Sequence, residues 1–190
     1  MDFLPVNILI PAGVICAALV AGAFSFVSLV LSKEQQVSEL RQKWIDALRE
    51  DISRYISALV ATEEIYWAME ERYGDDIDVL SRSIETRSLH TELSISYSNI
   101  MMRLNPKDKS QHQTALRDSL ISAKFMSSQG RWEEAVDMVD SIRESAQKAL
   151  KEEWERVKRG EPSFVKAKIA ALFIFFFLMG LVGFLISKMT

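Results

Sequence analysis

Two uncharged runs enclose a charged one, and no other feature restricts the fold as much. Ile8 to Leu31 is twenty-four residues without a charge, and Ile169 to Ile186 is eighteen. At helix rise these measure about 36 Å and 27 Å, against a hydrocarbon layer of about 30 Å. Each run is expected to cross a bilayer once, leaving Ser32 to Lys168 as a helix-patterned insert held at both ends. Of 23 basic residues only Lys188 lies outside the insert, and of 26 acidic ones only Asp2, so the insert carries a formal charge of −3. That balance excludes a general nucleic-acid binder.

The first run is expected to be a retained anchor. Its start, Met1 to Pro5, lacks a basic region, and the run continues eight residues past the small trio Ala21-Gly22-Ala23. Cys16, the single cysteine, reads as a small apolar residue, and one cysteine forbids a disulfide framework. Basic residues crowd the insert side of both runs, with Lys33, Arg41 and Lys43 after the first and Lys151 to Lys168 before the second. The insert is therefore expected in the cytoplasm, with both termini outside.

The expected architecture is all-α. It has a transmembrane helix over residues 1–31, a cytoplasmic antiparallel four-helix bundle over 32–165, and a second transmembrane helix with a short outer tail over 166–190. The first bundle helix, about 32–72, continues the span without a breaker, and Ile45, Leu48, Ile52, Tyr55 and Leu59 form its heptad seam. Gly74 ends it, and Asp75-Asp76 open the next helix, about 76–104. That helix puts Leu89, Leu93, Tyr97, Ile100 and Leu104 on one face, and is free of charge from Leu93 to Met102. Uncharged sides call for cover on more than one side. The alternation from Leu93 to Ser98 is also strand-like, but no second strand exists to pair with it. Ser110 and Gln113 make a capping box for a third helix, about 110–128, and Gln129-Gly130 close it. The fourth, about 131–159, carries Trp132, Ala135, Val139, Ile142, Ala146, Leu150 or Lys151, Trp154 and Val157 near heptad spacing. Gly160, Pro162 and Ser163 interrupt it before the second run. Short links make the four rods run up, down, up and down.

Standing on a membrane, such a bundle gathers Lys33, Lys107, Lys109, Lys158, Arg159, Lys166 and Lys168 into a basic collar facing anionic lipid headgroups. Asp75, Asp76, Asp78, Glu133 and Glu134 collect at the far end.

Catalytic patterns are missing. His90 and His112 belong to neither an HExxH nor an E-x-x-H spacing, and no Arg stands four to six residues before either. There is no G-x-S-x-G, P-loop or dinucleotide fingerprint, so no enzyme, metal or cofactor is expected. Binding and packing signals are present. Gly13, Ala17, Ala21 and Ser25 recur every four residues, with Ala18 and Gly22 alongside, and such stripes let helices approach closely in lipid. The stripe suits either the second run or a ring of copies of the first. Ser25, Ser28 and Ser32 form one polar register, which suits a water-filled lumen as well as simple bonding to their own helix carbonyls. In the second run, Gly180 and Gly183 are expected against the first, with the phenylalanines turned to lipid. Arg82, Arg87, His90 and Arg103 are candidates for gripping an anionic ligand. Pairing with a neighbouring Glu85 or Glu92 is the simpler use of such arginines.

The stretch from Ser32 to Arg49, SKEQQVSELRQKWIDALR, directly after an N-terminal span, resembles the juxtamembrane signature of a group of small bacterial membrane proteins with two spans. Their layout is similar to that of membrane-disrupting effectors of anti-phage defence, including channel-type effectors. The resemblance implies a bacterial inner-membrane location. The expected function is an oligomeric inner-membrane effector or channel, gated by a signal sensed in the helical domain and lined by the first span. Its expected partners are membrane lipid, further copies of the chain, and an anionic nucleotide or oligonucleotide regulator. The alternative is a non-conducting membrane scaffold that docks a cytoplasmic partner protein.

Overall fold

The computed structural model describes residues 6–74, 79–107, 110–159 and 162–187. Every regular element among them is an α-helix: α1 Val6–Tyr73, α2 Val79–Arg103, α3 Gln111–Ser128, α4 Trp132–Asp137, α5 Val139–Arg159 and α6 Pro162–Ser187. No strand occurs among the described residues. The stretch from Leu93 to Ser98 is helical, and its serines fit that state. Ser96 Oγ donates to the Glu92 carbonyl at 2.6 Å and Ser98 Oγ to that of Ser94 at 2.7 Å, so each hydroxyl is satisfied within its own helix. The chain falls into two compact units, Gln42–Glu155 and the segments on either side of it.

The unit Gln42–Glu155 is a bundle whose core follows the seam of α1. Ile45, Leu48, Ile52, Tyr55 and Leu59 are all buried there, joined by Leu93 and Ile100 of α2, Leu116 and Leu120 of α3, and Val139 and Ile142 of α5. Burying each large apolar side chain is worth about 1.5–3 kcal/mol. Polar contacts fix the directions. Asp51 accepts from Arg103 Nε at 2.7 Å and from Asn99 Nδ2 at 3.3 Å, while Tyr55 meets Tyr97 and Tyr66 meets His90, so numbers rise along α1 as they fall along α2. Ser110 donates to Glu152 at 2.5 Å, Gln113 Nε2 to Glu153 at 3.2 Å, and Ser119 and Ser141 hydroxyls meet at 3.0 Å, which sets α3 and α5 antiparallel.

Three local expectations change. The fourth rod is two helices, because at Met138 the backbone bond tightens to the Ala135 carbonyl, three residues back, before the ladder resumes at Ile142. Its seam after Ala146 passes through Ala149 and Glu153, keeping the 3–4 alternation, whereas Trp154 is 39 % exposed. Glu153 tolerates burial at 6 % exposure because Gln113 donates to it. The capping box is half made: Ser110 Oγ accepts from Gln113 N at 3.4 Å, but the Gln113 side chain crosses to Glu153. Gly130, at φ +74°, closes α3 as expected. Arg131 N bonds to Met126 O at 3.0 Å and Gly130 N to Ser127 O at 3.1 Å, the paired bonds of a left-handed helix terminus.

In the other unit, Phe24 of α1 meets Phe175 of α6 edge-on at 5.7 Å, and Glu34 pairs with Lys168. The glycines expected against α1 are not the contact. Gly180 and Gly183 face open space, and the buried small residue of α6 is Ala171, 3 % exposed. Pro162 opens α6, where its missing N–H costs no helical bond. One helix is long and apolar enough to cross a membrane within the described residues, Gly13–Tyr73 of α1.

Adjacent positions on α3 test the register. Leu120→Ala is expected to cost about 2–5 kcal/mol, and Ile121→Ala, on the exposed side, under about 1 kcal/mol. Arg103→Ala leaves the buried Asp51 carboxylate with one amide donor and is expected to cost about 2–3 kcal/mol, allowing for the partial exposure of Arg103. Urea unfolding followed by far-UV circular dichroism reads all three. Equal midpoints for the two α3 variants would refute this core.

Candidate functional site

At the end of the bundle where α1 and α3 finish, four helices leave an open cleft of about 740 Å³. On α1, Glu63, Tyr66, Trp67 and Glu70 are spaced 3, 1 and 3, which places them along one helical face. Arg82 and His90 come from α2 and Lys124 from α3. The left-handed turn at Gly130 then delivers Arg131 and Trp132 in succession.

The floor is aromatic. Tyr66 and Trp132 stack at 5.1 Å with 24° between planes, and His90 sets its edge to Trp132 at 5.3 Å and to Tyr66 at 6.3 Å. Tyr66 Oη and His90 Nε2 lie 3.5 Å apart, the outer limit of a hydrogen bond. Burial first, and the positive charge of Lys124 second, hold the His90 imidazole below its usual pKa, so it is neutral at pH 7. The Arg82 guanidinium sits 5.7 Å over the Tyr66 ring. Its Nε is buried with no hydrogen-bond partner. Arg131 is already neutralised by Glu134, with Nε to Oε1 at 2.5 Å.

Of the four residues singled out for an anionic ligand, two meet here. Arg82 and His90 line the cleft, whereas Arg87 lies with Ser83 and Thr91 on the outer side of α2. Arg103 is about 31 Å of helix rise from Arg82 and is held by Asp51. Its partner is a buried carboxylate on α1, not the Glu85 or Glu92 of its own helix. Tyr66, Lys124 and Trp132 carry no signal in the sequence as a group, because each stands on a different helix. Tyr66 also continues the α1 seam seven residues after Leu59, so periodicity reads it as core.

The membrane-directed candidates are exposed. Gly13, Ala17, Ala18, Ala21 and Gly22, and the serines Ser25, Ser28 and Ser32, all lie on open surface of α1, and a Cβ added at Gly13 or Gly22 meets nothing. Lys33, Lys158, Arg159 and Lys166 are exposed, and Lys168 pairs with Glu34. Lys107 is exposed in the bundle unit. Lys109 and the acidic trio Asp75, Asp76 and Asp78 lie outside the described residues. No cluster of His, Cys, Asp or Glu suited to a metal occurs among the described residues.

The lowered pKa of His90 makes stability depend on pH. Above the ordinary value of 6.5 the folded and unfolded imidazoles are both neutral, and the contribution to stability is complete. As pH falls through 6.5 the unfolded chain takes up a proton that the folded cleft resists, so stability declines until the folded imidazole is charged as well. Thermal unfolding of the full chain between pH 7 and pH 5 is expected to show this decline, and His90→Asn to flatten it. The lowered carboxylates Glu134 and Glu144 act below their usual 4.5, outside that window. An unchanged slope in His90→Asn would refute the assignment.

Comparison with protein-family models, with curated proteins and with solved structures gives no match for this chain.

Proposed function

We propose that the chain is an oligomeric inner-membrane effector or channel, in which Ile8–Leu31 of α1 and Ile169–Ile186 of α6 cross the bilayer and the helical bundle senses a cytoplasmic signal. The supporting observation is the contrast along α1. This single helix buries its heptad seam from Ile45 to Leu59 but leaves its upstream small-residue stripe and serine register exposed. Within lipid, an open Gly/Ala stripe is the surface on which helices pack closely, and copies of α1 are the natural occupants. Around an axis, Ser25, Ser28 and Ser32 then line a polar lumen, since polar groups at membrane depth face protein or water. Lys33, Lys158, Arg159 and Lys166 sit at the headgroup level of the cytoplasmic leaflet. Membrane disruption on a signal, as in anti-phage defence, is the use suggested by the resemblance of layout.

Light scattering of the detergent-solubilised chain is expected to give one closed oligomer, and planar bilayers containing it a conductance. Replacing Ser25, Ser28 and Ser32 together with leucine is expected to remove the conductance and leave the oligomer intact. A monomer, or unaltered conductance in the triple variant, would refute the pore. A stable oligomer without conductance would favour the scaffold.

A further inference from the structure

We propose that the cleft between Tyr66, Arg82, Lys124 and Trp67 binds a nucleoside monophosphate, with the phosphate on Arg82 and Lys124 and the base on Trp67. This deepens the sensing role proposed for the bundle and rests on that reading only for its biological use.

The argument begins with Arg82. Its Nε is buried, charged and without an acceptor, and no carboxylate among the described residues pairs with its guanidinium. A buried donor left unmade is costly, more so when it carries charge. The ring of Tyr66 beneath it offers the charge a π-face but accepts none of its N–H bonds in the plane of the guanidinium. Nε is closed to solvent, but the two terminal nitrogens of the guanidinium make no hydrogen bond among the described residues either, and such a fork is what a phosphate or carboxylate engages with two parallel bonds.

Lys124 supplies the second charge. It lines the same cleft from α3, is half-buried, and has no ion pair among the described residues. Two cations of separate helices therefore line one cavity, neither of them in an ion pair among the described residues, and a phosphate is an anion able to engage both. Arg131, by contrast, is paired with Glu134 and adds no net charge.

The remaining wall limits what the anion is attached to. Tyr66, Trp132 and His90 are packed on one another, but Trp67 is 62 % exposed on the same wall with no aromatic neighbour among the described residues. An indole with an open face beside a phosphate site accommodates a base, because every base has a π-face to stack. Glu63, Glu70 and Glu133 also line the cleft. Further phosphates beyond the first would meet these carboxylates, so the site favours a monophosphate over a triphosphate or an oligonucleotide.

Titration calorimetry on the detergent-solubilised full chain tests this, with the adenosine, guanosine, cytidine and uridine monophosphates, adenosine triphosphate, adenosine and inorganic phosphate as probes. At least one monophosphate is expected to bind more tightly than adenosine, phosphate and the triphosphate. Arg82→Gln is expected to weaken it by about tenfold or more, the factor carried by a charge-assisted contact. Lys124→Gln is expected to weaken it less, and Trp67→Leu to erase the advantage of monophosphate over phosphate. Because Lys124 and Trp67 are not core positions, those two variants keep the test sound if Arg82→Gln fails to fold. Absence of binding by all four monophosphates, or tighter binding of the triphosphate, would overturn the proposal. So would affinity unchanged in Lys124→Gln and Trp67→Leu. Binding without conductance sinks the channel and leaves this site standing, and conductance without binding does the reverse.

Discussion

The bundle depends on one stripe, the 3–4 alternation of α1 from Ile45 to Leu59. A helix with a single apolar stripe has no stable state alone in water, and a stripe this narrow is covered only by rods lying nearly along it. Leu93 and Ile100, Leu116 and Leu120, and Val139 and Ile142 supply that cover at the same 3–4 or 7-residue steps. The antiparallel order then follows from the short turns, and two glycines in the left-handed region, Gly74 and Gly130, end α1 and α3. Polar cross-links come second to this stripe. Asp51 and Glu153 are buried because the apolar seams bring Arg103, Asn99 and Gln113 to them.

Periodicity alone makes the α1 seam, the all-helical character of the bundle and the Gly130 turn legible in the amino-acid sequence. What it misses has one cause, which is that periodicity ranks positions by side-chain type and burial is decided by geometry. At the end of α5 it favours Trp154 over Glu153, since tryptophan is the more apolar. The unbroken alternation instead buries the glutamate, and an amide from α3 makes that tolerable. Small residues suit close contact, which is why Gly180 and Gly183 are expected against α1, yet both face open space and the rings of Phe24 and Phe175 make a contact between the two helices. Within one chain Arg82 and His90 line the cleft, whereas Arg87 and Arg103 lie elsewhere on α2. They share a helix, but its length separates the first from the last by most of the bundle.

The serine-rich helix α2 shows how a segment dense in hydroxyls is housed. Thr86, Thr91, Ser96 and Ser98 each return a hydroxyl to the carbonyl four residues back, so their polarity is consumed locally and the helix needs few outside partners. Tyr55 is one exception inside the core. Its hydroxyl is buried with no partner, and burial, with Tyr97 beside it, pushes its pKa up, which keeps the phenol neutral. An unmade bond there is tolerated because the ring fills the seam between Ile52 and Leu59.

The cleft and the core are parts of one surface. Tyr66 stands on the continuation of the α1 stripe, and Trp132, which stacks on it, also belongs to the core cluster that holds Leu59 and Ala135. A ligand held by Arg82, Lys124 and Trp67 therefore ties α1, α2 and α3 at the point where the stripe ends. It biases the position of α1 only to the extent that it binds one arrangement of those helices better than another. The helix that carries Tyr66 and Trp67 is also the one that carries the small-residue stripe, since α1 runs from Val6 to Tyr73.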